Sequence, residues 1–290
     1  MRQENTGQAF SGIFFFVAAI LLISIVDTVC KVFTTDLHSL QLVWGYFLGI
    51  NLTLWIFFLI RREAVAKLFE TDRLIIQLMR PAFLAGSITC LFLGLTYLPI
   101  AEATAIGFTA PLFITALSVP ILGEKVGLHR WTAVFIGLLG MIIIIRPGGG
   151  LWHWASIMPF LGAVFFAVFQ IITRLLSTTE KTNTTLFYTG VGGLLWTSIL
   201  VPFVWVTPLP IHWLIFLLTG MMGAVAHLCM ISAFNRAEAS LLAPYNYTKL
   251  LWVSILGYLV FDDIPSLNMW LGAAVIVASG VYVLYRERKA

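Results

Sequence analysis

Apolar residues run in long blocks along this chain, separated by brief polar stretches, and most blocks are as long as a helix that crosses a bilayer. A span takes roughly 20 mostly apolar residues, because about 30 Å of hydrocarbon is covered at 1.5 Å per residue. That window predicts spans at 11–33, 39–60, 80–98, 101–122, 129–146, 154–176, 184–206, 211–233, 237–261 and 267–285. These are ten helices, with connections too short for a soluble domain. The longest connection, Arg61 to Met79, reads either as an amphipathic helix on the membrane surface or as a charged elbow. The first block has one basic residue before it and no clear small-residue cleavage site after it, so it is expected to be retained as a helix.

Composition supports a lipid solvent. Only 10% of the 290 residues are charged and 60% are hydrophobic, more apolar surface than one water-soluble core of this size hides. With the N-terminus cytoplasmic, nearly all basic residues fall on the cytoplasmic side, Arg80 and Arg174 among them, and only Lys31 and Arg146 on the other. The pI of about 9.1 then reflects topology and not a nucleic-acid interface. Cys30, Cys90 and Cys229 all lie within spans and lack metal-ligand spacing, so reduced buried thiols are expected, with no metal and no cofactor.

Two stretches follow one template. Ala101-Glu102-Ala103, Ala110-Pro111, Leu122-Gly123-Glu124, Trp131 and Gly140 are answered by Ala237-Glu238-Ala239, Ala243-Pro244, Phe261-Asp262-Asp263, Trp270 and Gly280. Glu102 and Glu238 are 136 residues apart, Glu124 and Asp263 139, so the copies differ by a short gap. Five spans per copy is an odd number, so the second copy enters the membrane from the opposite face. The expected architecture is an all-α membrane protein with two inverted five-helix repeats, 1–147 and 148–290, around a central cavity.

Lys249 lies midway along the ninth span, near the bilayer centre, where an ammonium is costly unless it meets a partner or a wet cavity. Helical spacing sets Tyr245 and Trp252 on its face, a stripe suited to a planar or anionic solute. Asp27, with Lys31 one turn on, is either a local ion pair or a cavity carboxylate that exchanges partners or carries a proton. His227, Asn246, Asn51 and Gln170 are further polar groups in apolar surroundings, expected to bond between helices. Among them His227 also reads as a pH sensor and Asn246 as a cargo contact. Pro111, Pro120 and Pro244 are expected to bend their helices near the site. Gly45 and Gly49 are spaced for close helix approach, and the tryptophans at span ends for interfacial anchoring.

The motif set, together with Trp252, Gly257 and Gly272, resembles the EamA-type transporters of the drug/metabolite transporter superfamily over nearly the whole chain. The resemblance implies ten helices, cytoplasmic termini, inverted repeats and a central cavity bounded here by spans one, three, four, six, eight and nine. It departs at Asp262-Asp263, where the family carries Gly-Glu. The expected protein moves a small organic metabolite, vitamin-like (flavin-type) or amino-acid-like, across the bacterial cytoplasmic (inner) membrane by alternating access. Its partners are then a small-molecule substrate and the lipid bilayer, with no nucleic acid. Proton or ion coupling and a homodimer are left open. A non-transporting scaffold is one alternative. A membrane-embedded enzyme is another, but the chain has no HExxH, no HxxxxD and no aspartate-rich diphosphate motif.

Overall fold

Long apolar runs in this chain become helices because only a helix satisfies its own backbone polar groups where no water is present. The computed structural model describes residues 2–60, 68–122, 128–145, 154–177, 179–234, 236, 245 and 247–287. In chain order these form α1 (Arg2–Val32), α2 (Ser39–Ile60), α3 (Leu74–Leu95), α4 (Ile100–Gly107), α5 (Ala110–Leu122) and α6 (Leu128–Ile145). There follow α7 (Ile157–Ser177), α8 (Thr182–Leu200), α9 (Pro210–Phe234), α10 (Thr248–Phe261) and α11 (Leu267–Glu287), with short 3₁₀ turns at Trp154–Ser156 and Val201–Val204. No strand occurs among the described residues. Seven helical stretches there are long and apolar enough to cross a membrane, and three more, Phe135–Ile144, Thr248–Phe261 and Leu267–Ser279, are apolar but shorter.

Two expected spans are corrected. The third helix starts at Leu74, not at residue 80, so residues 74–79 belong to a membrane helix and Arg80 lies inside it. The surface-helix reading of residues 61–79 therefore fails over 74–79, and residues 61–67 lie outside the described part. The apolar triplet Leu74-Ile75-Ile76 extends the helix, and Arg80 is tolerated there because neighbouring helices hold it. The fourth expected span is broken between Gly107 and Ala110, just before Pro111, a residue that lacks the backbone donor an unbroken helix would use. Of the ninth, the helix Thr248–Phe261 is described, and residues 237–244 and 246 lie outside the described part.

Several hydroxyls inside the helices are satisfied locally, whereas those of Thr89 and Ser254 are buried without a partner among the described residues. Ser24, Thr28, Thr53, Thr173, Thr189, Thr197 and Thr219 each donate to the carbonyl four residues back, so none of these is left bare in hydrocarbon. Gln41 at the start of α2 donates to the Val206 carbonyl at 2.7 Å and accepts the Val206 N–H at 3.0 Å, tying α2 to the segment after α8.

Helix α9 packs on α1 and α2; α3 packs on α7 and α8; α2 meets α8; α6 meets α11; α7 meets α5; and α10 meets α1 and α4. Two contacts require glycine. A β-carbon on Gly220 of α9 would overlap the Gly49 backbone of α2, and one on Gly140 of α6 would stand 2.8 Å from the Gly272 carbonyl oxygen of α11. The expected close approach of Gly45 and Gly49 is thus present, against Phe216 and Gly220. Trp44, Trp205 and Trp213 interlock edge to face at the start of α2. Large apolar side chains such as Phe203, Leu259 and Ile60 remain exposed, a surface that belongs against lipid.

Helix α10 ends on Asp262, which has φ 54°, the one described non-glycine residue with positive φ; Asp262 N–H bonds the Tyr258 carbonyl and Asp263 N–H the Gly257 carbonyl. That is a left-handed helix cap, where glycine carries no β-carbon penalty. In the sequence template Asp262 is matched with Gly123, which lies outside the described residues. Asp262→Gly is expected to raise stability by about 0.5–1 kcal/mol, read as a higher melting temperature in detergent; an unchanged or lower one would count against strain at this cap.

Candidate functional site

The break in the fourth span brings polar backbone into the bundle. Thr109, between α4 and α5, turns its hydroxyl onto the Ile106 carbonyl at 2.8 Å. The ring of Phe108 lies 5.5 Å, centroid to centroid, from that of Tyr247, the residue just before α10. The interrupted fourth span and the beginning of α10 therefore meet. Helix α10 has no side-chain N-cap, and the Thr248 hydroxyl bonds the Tyr245 carbonyl at 2.6 Å instead.

Lys249 sits in the first turn of α10, where a cation opposes the positive end of the helix dipole. It is held by Asp27 of α1, Nζ to Oδ2 at 2.8 Å, with side-chain exposures of 23% and 8%. The ammonium thus points to protein and not to lipid. Tyr46 of α2 and Cys30 of α1 lie within electrostatic reach of the Asp27 carboxylate. Breaking such an enclosed pair from one side costs about 3–5 kcal/mol, since the remaining charge is stranded.

Tyr245 and Trp252 pack on one cluster formed by Phe16 and Ile20 of α1 and Ala233 of α9. Tyr245 precedes the helix, so the regular helical stripe expected through Tyr245, Lys249 and Trp252 is not what joins them; the face of α1 carrying Phe16, Ile20 and Asp27 does. The Trp252 indole N–H is buried without an acceptor among the described residues, a donor free for a bound solute. Asn246 lies outside the described residues. His227, half-buried on α9, has the Arg80 guanidinium within electrostatic reach. Asn51 bonds the Phe47 carbonyl of its own helix at 2.8 Å and does not bridge helices through that bond.

The local Asp27–Lys31 pair is not formed. Lys31 instead reaches Asp263, at the end of α10, with Nζ to Oδ2 2.8 Å and Nζ 4.3 Å from the centre of the Phe261 ring. Glu102, in the first turn of α4, lies in reach of both charges and accepts the Ser266 N–H on Oε1 at 3.3 Å. Asp27 and Lys31, one turn apart on α1, each take a partner more than 200 residues away instead of each other, a choice that spacing along one helix does not reveal.

Arg80 is a polar centre that sequence spacing missed. It is 2% exposed and donates to the Thr173 hydroxyl at 3.0 Å, the Thr185 carbonyl at 2.8 Å and the Thr189 hydroxyl, with its face over the Phe169 ring. It binds α3 to α7 and α8. The signal available in the sequence was the threonine set Thr173, Thr185 and Thr189, polar residues placed to receive a guanidinium. Among the described residues no three His, Cys, Asp or Glu side chains group to hold a metal ion, and the three cysteines are free.

The EamA-like transporter family matches residues 10–146 and again 153–286. Over 97% of this chain and 94% of its own length, an S-adenosylmethionine uptake transporter of Rickettsia prowazekii is 26% identical. A riboflavin transporter of Vibrio cholerae is 33% identical over 66% of this chain and 64% of its own. A pseudopaline exporter of Pseudomonas aeruginosa is 24% identical over 96% and 97%. One solved crystal structure superposes with a TM-score of 0.62 at 18% identity, covering 100% of this chain and 99% of that one, which speaks for the fold. With its apolar helices and a match covering nearly all its length, this chain is a multi-pass membrane protein that belongs to the EamA-like transporter family, a transporter and not an enzyme.

Proposed function

We propose that the protein carries a small organic solute across the bacterial inner membrane by alternating access, with both termini cytoplasmic and its cargo site at Lys249, Asp27, Tyr245 and Trp252. The observation that carries the reading is the enclosed Lys249–Asp27 pair at the start of α10, beside the break in the fourth span. Interrupted helices in the middle of a bundle are where transporters place their cargo, because freed backbone groups and helix ends bind polar solutes there. An anionic group on the cargo would take Lys249, a planar body would lie along Tyr245 and Trp252, and the Trp252 N–H would find an acceptor. A vitamin-like or amino-acid-like solute fits that set, and the S-adenosylmethionine and riboflavin named for relatives lie in the same range of size and chemistry.

Ten spans in two inverted repeats, 1–147 and 148–290, complete this reading, and the packing supports it. If α1 to α3 exchange with α7 to α9, the α4–α5 span with that of α10, and α6 with α11, the most extensive contacts find their mates. The α1–α9 contact becomes α7–α3, α2–α9 becomes α8–α3, and α5–α7 becomes α10–α1, while α2–α8 and α6–α11 map onto themselves. Single residues follow. Gly94 packs on Pro159, and the positions 136 later and 143 earlier are Met230 and Phe16, which share a cluster. With gaps between the segments, Lys31 pairs with Arg174, Glu102 with Glu238 and Glu124 with Asp263 in sequence, at separations of 143, 136 and 139 residues.

The test is flux in proteoliposomes with radiolabelled S-adenosylmethionine and riboflavin, then a wider panel of zwitterions and carboxylates. Saturable uptake of at least one solute, absent from empty vesicles, is expected. Equal entry into empty vesicles across the whole panel would end the carrier reading.

A further inference from the structure

Glu102 brings together the two repeated motifs. It belongs to the Ala-Glu-Ala stretch of the first copy, Asp263 to the acidic pair of the second, and both lie in reach of Lys31 at one face of the bundle. Around one ammonium, then, stand two carboxylates, one more than it neutralises. Asp263 takes Lys31 directly at 2.8 Å. Glu102 is 3% exposed; its Oε1 has only the Ser266 N–H, and its Oε2 has no partner among the described residues. An ionised carboxylate in that position strands a lone pair away from water, a cost that a proton on Oε2 removes. Among the described residues nothing else nearby relieves it. Helices α3, α6, α7 and α11, also packed against α4, carry no charged residue near this face among the described residues, and Asp262 is exposed.

We propose that Glu102 is a proton-binding site that couples to opening at this face: a proton taken from water adds to Glu102 Oε2 as the ends of α1, α4 and α10 come together around Lys31, and it leaves when they part. The enclosed arrangement then holds one neutral acid and one neutral ion pair, with no net charge. Once the face opens, water solvates the carboxylate and the proton returns to solution. By linkage the state that binds the extra proton gains as pH falls, so acid closes this face and base opens it. The assignment rests on the alternating-access reading for its meaning in transport, whereas its test uses no cargo and does not depend on membrane orientation.

The experiment uses the full chain in nanodiscs, with Cys30, Cys90 and Cys229 replaced by alanine and spin labels at Thr96→Cys and Ile264→Cys. Both positions are exposed, one in the turn before α4 and the other in the segment after α10. Pulsed electron resonance distances are read from pH 5 to pH 9. The long-distance population is expected to rise with pH by up to about tenfold per pH unit, the limit for a single linked proton. Glu102→Gln, which keeps the carbonyl for Ser266 and carries no titratable group, is expected to hold the short distance at every pH. Asp262→Asn, at the exposed neighbouring acid, is expected to retain the full response. A parent distribution indifferent to pH, or a Glu102→Gln protein that responds like the parent, overturns the assignment. Should Glu102→Gln not fold, Glu102→Asp serves: its shorter reach is expected to move the midpoint, and an unmoved midpoint counts equally against Glu102.

Discussion

Lys249→Gln is expected to lower solute flux by about two orders of magnitude or more while the protein still inserts, since roughly 3 kcal/mol lost at a charged site corresponds to that factor. The same change strands Asp27, which is 6% exposed and has Lys249 as its only described ion-pair partner, so stability is expected to fall by about 3–5 kcal/mol. The two effects are separable. The double change Asp27→Asn with Lys249→Gln replaces a buried ion pair by two neutral amides, and is expected to recover most of the melting temperature and none of the flux. A structural pair would instead recover both together. Thermal unfolding followed by tryptophan fluorescence, set beside uptake into proteoliposomes, decides the matter. Wild-type flux in the single variant would remove Lys249 from the site.

A loss of comparable size is expected from Gly220→Leu, for a purely steric reason. The β-carbon of any larger residue at 220 would fall on the Gly49 backbone, and backbone cannot rotate aside as a side chain can. Helices α2 and α9 would have to separate along a contact that also buries Phe216 and Tyr46. Overpacking of this kind costs about 3 kcal/mol, and in a membrane, where small residues at helix crossings supply van der Waals contact in place of a hydrophobic driving force, little compensates for it. Gly107→Ala is the control. No atom lies within 4 Å of a β-carbon there, so the change is expected to be neutral or to stabilise the end of α4 by up to about 1 kcal/mol. Measured by the detergent melting temperature, equal outcomes at the two glycines would contradict the packing described.

That Lys249 would be enclosed by protein was legible because a lone cation deep in an apolar run needs a partner, and the broken fourth span was legible from Pro111. The identity of Lys249's partner was not. Asp27 reads equally well as the mate of Lys31 one turn away, and the tertiary contact of α1 with α10 overrides that neighbour by offering each charge a better-enclosed partner. Arg80 was misread for a related reason: a charge near the start of an apolar run looks like a loop residue until hydroxyls from α7 and α8 are seen to receive it. At the Asp262-Asp263 departure from Gly-Glu, Asp262 takes the left-handed cap and Asp263 sets an acid against Lys31.

From its residues alone the chain was committed to lipid and to helices, because apolar run length and sparse charge are local properties that no folding partner needs to supply. Which charges meet, which glycines touch and where Glu102 lies are properties of surfaces brought together from opposite ends of the chain. Those were decided only in the folded bundle, where burial makes an ion pair or an unpartnered oxygen worth several kcal/mol and so selects among the pairings that helical spacing had left equal.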